Sequence, residues 1–199
     1  RADLAAKVME TKNIDNEIKF LEDFCQNLNI KLKTYALSIH ERRKSVIDDL
    51  TDQIENVLHE LGMVNSKFKI KLHQSENFYS NGMDTIEFEF LANKGYEFKK
   101  IREAASGGEM SRIMLAIKSI MAKYKQLPSI IFDEIDTGVS GEISKKMGLI
   151  MKDLGSKIQT FSITHLPQIA AMGESHFKIY KTDLDGHNKT MMVRLNEND

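Results

Sequence analysis

With 199 residues, the chain is long enough for one domain with a full hydrophobic core, or for a smaller domain with an extension. Its formal net charge of -1 excludes a protein held to nucleic acid by overall charge, but not local basic patches. The single cysteine, Cys25, excludes an internal disulfide and fits a reducing compartment. No apolar run approaches the ~20 residues of a membrane-spanning helix, and no signal peptide opens the chain. We therefore expect a soluble, cytoplasmic protein without a membrane partner.

The first sixty residues carry a heptad pattern, in which apolar side chains recur in alternating steps of four and three. These positions are Ile14, Ile18, Leu21, Cys25, Leu28, Leu32, Tyr35 and Ile39. Arg42 takes the next expected position, and a stutter follows before the pattern resumes. We predict a long coiled-coil helix over residues 14–61, with a turn or kink at residues 11–13. An amphipathic helix in a bundle is the alternative, but so narrow a stripe needs a partner helix, which must come from outside this chain.

The next segment predicts a small, mostly antiparallel sheet. Gly62 suits a helix C-terminal cap. Alternating polarity predicts strands, and Gly and Asn signals predict turns. The predicted strands are residues 67–72, 86–90 and 96–98, with turns at residues 80–82 and 93–95.

Two basic clusters lie in or beside this sheet. They consist of Lys67, Lys69 and Lys71, and of Lys99, Lys100 and Arg102. For the first cluster, we favour a solvated sheet edge whose charges limit aggregation. The alternative is a surface that binds DNA phosphates. The sequence does not identify a DNA-contacting surface.

The pattern after residue 105 changes to helix, strand, helix and strand, which is typical of a parallel α/β layer. Apolar runs at residues 129–132 and 160–163 predict two buried strands. A final hairpin is predicted from strands at residues 177–181 and 190–195, joined through Asp185-Gly186.

Three chemically distinctive groups fall at the ends of these elements. Ser106, Gly107 and Gly108 precede a periodic segment at residues 110–124, which predicts a helix N-terminus whose N–H groups can bind an anion. The first buried strand ends at Asp133 and Glu134. Asp133 could hold Mg²⁺, while Glu134 could orient or deprotonate a water.

A histidine, His165, follows the second strand together with Thr164. Because carboxyl ends of parallel strands meet at one edge of a sheet, a phosphate contact by His165 is favoured over a structural role. The remaining histidines are interpreted as surface or packing residues.

These residues carry a family resemblance. Ser106-Gly107-Gly108-Glu109 resembles the signature motif of ABC-type ATPases, residues 130–134 resemble their Walker B strand, and Thr164-His165 resembles their switch histidine. The longer stretches 105–116, 132–141 and 164–171 resemble the RecN family of bacterial DNA repair proteins, which are SMC-like coiled-coil ATPases. The resemblance covers essentially the whole chain.

The resemblance implies an α/β fold, the carboxy-terminal lobe of an ABC-type P-loop ATPase head with a long coiled-coil arm. The arm would be residues 1–61 and the head lobe residues 62–199. It also implies ATP and Mg²⁺ as cofactors, with Asp133 as metal ligand and Glu134 and His165 as catalytic residues. The implied nucleotide-contacting set is Ser106, Gly107, Gly108, Glu109, Asp136 and Ser140. Residues 137–141 would form the D-loop of the family. Many relatives carry an aspartate in this loop at the position of Ser140.

No Gly-x-x-x-x-Gly-Lys-Ser/Thr phosphate loop occurs in the chain. The family carries that loop in an amino-terminal lobe, so Arg1 is expected to be a cut into a longer protein, with processing as the alternative. The implied partners are that lobe, an antiparallel coil helix, a second ATP-bound head and double-stranded DNA ends in the nucleoid.

Other functions remain open at the level of the sequence. The chain could be a non-hydrolysing coiled-coil tether of DNA, another SMC-type ATPase or a transporter ATPase, although a long coil has no place in a transporter. An acidic metal nuclease centred on Asp133, Glu134 and Asp136 is a further alternative.

Overall fold

The computed structural model describes residues 2–125, 127–139, 141–184 and 187–196. The chain forms two compact units. The first combines Arg1–Asp48 with Ile70–Glu87, and the second combines Asp49–Lys69 with Phe88–Asp199. The predicted division into an arm at 1–61 and a head lobe at 62–199 stays a prediction.

Helix α1 spans Ala2–Glu60 as 59 continuous helical residues. The turn predicted at residues 11–13 is therefore wrong, whereas the alternative of a kink stays a prediction. Thr and Asn lower helix propensity by less than about 1 kcal/mol each, and residues 2–60 contain no proline or glycine. A local weakness of that size does not end a helix that is favourable on both sides.

The apolar seam of α1 is exposed in the first unit. Six of its large side chains have exposed fractions of 42–67%. They are Ile14, Ile18, Leu21, Leu28, Leu32 and Tyr35. Water-exposed apolar side chains in a continuous stripe are unfavourable, so the described part of the chain leaves the seam without the partner that its pattern requires.

The first unit also holds a buried carboxylate. Strands β1, Lys67–Tyr79, and β2, Gly82–Leu91, meet at the predicted turn. The Asp84 side chain is 1% exposed, and its Oδ1 lies 2.7 Å from His40 Nδ1. Its Oδ2 accepts a hydrogen bond of 2.8 Å from Arg43 Nη1. Arg43 Nη2 donates to the carbonyl of Asn81 at 2.7 Å, so the hairpin is anchored to α1.

Burial alone would raise the pKa of Asp84, but the hydrogen bonds from His40 and Arg43 outweigh burial, and the pKa lies below its ordinary value. A carboxylate held in this way stabilises the folded state only while it is ionised.

In the second unit, α1 ends at Glu60, and Gly62 has a φ of 83°. This left-handed conformation confirms the predicted glycine cap. Glu55 is buried and accepts hydrogen bonds from the Phe68 amide at 2.8 Å and from Lys67 Nζ at 2.7 Å. The hydrogen bond to Glu55 raises the pKa of Lys67. Lys69 Nζ lies 5.5 Å from the centroid of the Phe98 ring, so these two lysines have structural contacts.

The third strand of this sheet is β3, Lys99–Lys100, which pairs antiparallel with β2. It begins after residues 96–98, where the sequence predicts a strand but the chain is irregular. The Tyr96 amide closes the turn by donating to the Asn93 carbonyl at 3.3 Å. A short helix, α2, Ile101–Ala104, follows β3 at once.

The predicted α/β layer is present in the second unit. Helix α3 spans Gly107–Tyr124, β4 Ser129–Asp133, α4 Glu142–Gly155 and β5 Gln159–Ile163. Strands β4 and β5 are parallel. A core cluster joins the end of α1 to α3, β4 and α4, and it includes Leu61, Leu115, Phe132, Met147 and Leu154.

The two parallel strands are less buried than predicted. Ile130 and Phe132 face the core, whereas Ile131, Phe161 and Ile163 are exposed. Alternate residues of a strand point to opposite faces. One face of this two-stranded sheet is therefore apolar and open within the described residues.

The chain continues with α5, Pro167–Ala170, and the antiparallel strands β6, Phe177–Leu184, and β7, His187–Arg194. The hairpin predicted at residues 177–195 is confirmed, while its turn residues, Asp185 and Gly186, lie outside the described residues. Among the helices of the described residues, none combines the length and apolarity that crossing a membrane requires.

Replacing Asp84 by Asn should lower the free energy of unfolding by about 1–3 kcal/mol near neutral pH, because one charge-assisted hydrogen bond is lost inside the protein. Since the pKa of Asp84 is lowered from 3.8, the stabilisation is complete above that value and is lost as pH falls below it. Urea denaturation should therefore give a smaller difference at acid pH. Asp48→Asn, at an exposed site on α1, is the control; equal effects of both variants would contradict the prediction.

Candidate functional site

The acidic pair lies where β4 leaves the sheet. Strands β4 and β5 pair in register, with Asp133 opposite Ile163. The Glu134 amide donates to the Ile163 carbonyl at 3.0 Å, which continues the pairing by one residue. Both acidic side chains are exposed. Parallel pairing therefore places the predicted metal ligand and catalytic carboxylate at the end of β4, beside the segment that carries His165.

Glu134 has an unusual backbone conformation. Its φ is 46°, a positive value that costs a residue with a Cβ about 1–2 kcal/mol. The hydrogen bond from its amide and those from the Thr137 amide and hydroxyl to its carbonyl, at 3.3 and 2.9 Å, fix this conformation. Local backbone strain of this kind is frequent at functional sites. No pattern in the sequence predicts it.

Asp136 differs from the other predicted site residues because its side chain is only 1% exposed. The Thr164 hydroxyl donates to Asp136 Oδ2, and Thr164 Oγ1 accepts a hydrogen bond of 3.0 Å from the Leu166 amide. Asp136 Oδ1 is buried without a hydrogen-bond partner and lies 3.8 Å from Nδ1 of His165. The His165 side chain is 64% exposed. A direct nucleotide contact by this buried carboxylate, as the sequence predicts, would require the segment to open.

The signature residues form the N-terminus of α3, with Ser106 as N-cap. Glu109 Oε2 accepts hydrogen bonds from the Ser106 amide and from the Ser106 hydroxyl, each 2.8 Å long. A carboxylate in the first turn is favoured there by the partial positive charge of the helix end. The predicted affinity of this turn for an anion is thus satisfied in part by the chain's own Glu109.

The two signature glycines have different surroundings. A Cβ on Gly107 would meet no atom within 4 Å, so this backbone is open to a ligand. A Cβ on Gly108 would lie 3.5 Å from the carbonyl oxygen of Thr137 and 3.6 Å from that of Gly138. The signature turn therefore packs against the predicted D-loop.

The D-loop itself is partly described. The Val139 amide donates to the Asp136 carbonyl at 3.1 Å. Gly141 has φ 61° and ψ -127° at the N-cap of α4, a combination that is open essentially to glycine. Ser140, the predicted interface residue, lies outside the described residues, so its role stays a prediction.

The site can be tested for its fit to a metal. Asp133 offers an exposed carboxylate at the mouth of the site, and Mg²⁺ commonly takes one or two carboxylates together with phosphate oxygens. This donor set fits Mg²⁺ delivered with a nucleotide. Across the part of the chain that is described, no three His, Cys, Asp or Glu side chains converge on a metal position. The nuclease alternative, which needs such a centre made from protein alone, gains no support.

Sequence comparison gives the family context. The chain is 35% identical over 187 residues to the DNA repair protein RecN of Halalkalibacterium halodurans, covering 92% of this chain and 33% of that protein. It is 36% identical over 196 residues to the DNA repair protein RecN of Vibrio cholerae, covering 96% of this chain and 35% of that protein. By sequence, the chain is RecN-like. It spans about a third of the length of these relatives. No family model matches the chain.

The fold of the RecN-like chain is found among solved structures. The Smc head domain with a coiled coil and joint from Pyrococcus yayanosii has a TM-score of 0.59 at 23% identity, covering 79% of this chain and 29% of that one. The predicted α/β class is confirmed, and the fold is that of Smc head domains.

Replacing Glu134 by Gly should leave the protein more stable than replacing it by Ala, by about 1 kcal/mol, because glycine alone adopts a positive φ without strain. Both variants lose the same carboxylate, so chemical denaturation isolates the backbone term. The same two substitutions at Lys145, an exposed position in α4, should give the opposite order. A more stable Ala variant at position 134 would contradict the strain.

Proposed function

We propose that the RecN-like chain is the carboxy-terminal half of an SMC-like ATPase that acts in the repair of DNA double-strand breaks. In the complete protein, ATP would clamp two heads together and its hydrolysis would release them. The support is the resemblance to RecN proteins together with one geometric observation. The register of β4 and β5 brings the acidic pair and the Thr164-His165 segment to one edge of the sheet.

In this proposal Asp133 holds Mg²⁺, which neutralises phosphate charge when it is bound. Glu134 orients and deprotonates the attacking water, and His165 contacts the γ-phosphate. The three side chains are exposed, as groups that meet a ligand must be. Phosphoryl transfer depends mainly on position and electrostatics, so the hydrogen bonds that fix Glu134 and Thr164 are part of the catalytic equipment.

The signature residues Ser106, Gly107 and Gly108 would contact the γ-phosphate of an ATP held mainly by another subunit, and Glu109 would belong to the same turn. The open space at Gly107 supports an approach from outside the chain. The donors of Ser106 now bond to Glu109, so a phosphate at this position would have to share or take those donors.

The missing phosphate loop is assigned to an amino-terminal lobe of the same protein. The exposed apolar face formed by Ile131, Phe161 and Ile163 supports this assignment, because a parallel sheet is normally covered on both faces. The partners in this proposal are therefore that lobe, a second head, an antiparallel coil helix for the arm at 1–61, and double-stranded DNA ends. The location would be the cytoplasm, at the nucleoid.

A second candidate is a non-hydrolysing tether that joins DNA through its coil. The exposed seam of α1 is compatible with it, because that seam needs a helical partner whether or not the head turns over ATP. Both candidates share the coil, and turnover separates them.

The chain alone should hydrolyse no ATP above background, whereas a mixture with the separately made amino-terminal lobe should. In that mixture Glu134→Gln should lower kcat at least about 10²-fold while ATP still binds, because a general base is lost. Glu142→Gln, at an exposed position, is the matched control. Turnover by the chain alone that Glu134→Gln abolishes would refute the shared site, and a mixture without turnover that still bridges DNA would favour the tether.

The seam of α1 should drive self-association of the isolated chain at high concentration, as measured by light scattering. Leu28→Glu should raise the dissociation constant at least about tenfold, because it puts a charge into the seam. Leu37→Glu changes another exposed leucine of the same helix that lies off the seam, so it should have little effect. A chain that stays monomeric throughout the concentration series would contradict the prediction.

A further inference from the structure

The buried carboxylate of Asp136 is only half satisfied. Oδ2 accepts from the Thr164 hydroxyl, whereas Oδ1 has no hydrogen-bond partner among the described residues. A buried polar atom left without a partner is unfavourable, and such atoms are rare in folded proteins. The imidazole of His165 is the neighbouring group that can supply a donor, since its Nδ1 is 3.8 Å away.

We propose that Asp136 is a positioning residue for His165. One carboxylate oxygen accepts a hydrogen bond from the Thr164 hydroxyl, and the other accepts one from the Nδ1–H of His165. The ring must approach by less than about 1 Å to reach hydrogen-bond distance, and the exposure of its side chain leaves room for that movement. The inference rests on the proposed role of His165 at the γ-phosphate.

The consequence for chemistry is a choice of ring nitrogen. A histidine that donates a hydrogen bond from Nδ1–H to a carboxylate has a fixed ring orientation, and its Nε2 points away from that carboxylate. His165 would then meet the γ-phosphate through Nε2.

Asp136 also links His165 to the surface predicted to meet the second head. Its carbonyl accepts from the Val139 amide, and the neighbouring Gly138 lies against Gly108 of the signature turn. A shift of the D-loop on head contact would therefore move Asp136, and with it the segment that carries His165. Contact between the heads would then change the position of His165 at the γ-phosphate, although Asp136 itself does not touch the nucleotide.

The tautomer of His165 tests this contact in the complete 199-residue chain without nucleotide. Long-range ¹H–¹⁵N correlation of the imidazoles near pH 8, where they are neutral, distinguishes Nδ1–H from Nε2–H rings. His165→Gln assigns the signal. His165 should carry its proton mainly on Nδ1. Asp136→Asn keeps the shape but can turn an amide N–H₂ toward the ring, so the proton should move to Nε2.

His176 is an internal control, because its Nε2 lies 2.8 Å from the Ala170 carbonyl and should carry the proton in both proteins. A wild-type His165 protonated mainly on Nε2 overturns the proposal, and this reading holds even if Asp136→Asn does not fold. Unchanged tautomers in a folded Asp136→Asn protein, checked by its backbone amide spectrum, also overturn it.

Turnover gives a second, separate readout in the complete protein. Asp136→Asn should lower kcat about 10–100-fold and change the KM for ATP by less than about threefold, because it misorients a group that acts in the transition state. If the tautomer reverses but kcat is unchanged, the catalytic role of Asp136 is overturned although the contact stands. If the wild-type protein has no ATPase activity, the proposed function fails, whereas the tautomer result still decides the contact.

Discussion

The register of β4 against β5 is the constraint on which the candidate site depends. Asp133 faces Ile163 across the pair, and the Glu134 amide adds one more hydrogen bond to the Ile163 carbonyl. A slip of one residue would turn every side chain of a strand to the other face, taking Phe132 out of the core. Burial of Ile130 and Phe132 thus fixes the register, and the register fixes where the acidic pair leaves the sheet. The packing of these two hydrophobic side chains therefore also determines the geometry of the candidate site.

Much of the fold follows from local patterns in the sequence. The heptad pattern predicts the long helix α1, Gly62 predicts its end, and the strand-ending acidic residues predict the edge of a parallel sheet. The turn expected at residues 11–13 is wrong because weak local propensity loses to the helix on either side. Each of these outcomes depends on residues close together in sequence.

The features that the sequence does not reveal depend on residues that are distant in the chain. Asp136 meets Thr164 across 28 positions, and Asp84 meets His40 across 44. Local periodicity predicts neither contact, so the burial of the two carboxylates could be found only from the structure. The positive φ of Glu134 is also set by partners, in this case the Ile163 carbonyl and Thr137. The solvent exposure of β5 depends on which element covers the sheet. An apolar run in the sequence does not identify that element.

The hydrogen bonds between Ser106 and Glu109 bear on how tightly a phosphate can be held at this turn. An incoming phosphate finds the amide and hydroxyl of Ser106 already engaged, because the Glu109 carboxylate of the same helix accepts from both. Association would then exchange one anionic acceptor for another, and the net free energy would be the small difference between two similar interactions. Such an exchange is weak and easily reversed. A turn built in this way suits a reversible contact rather than a permanent one.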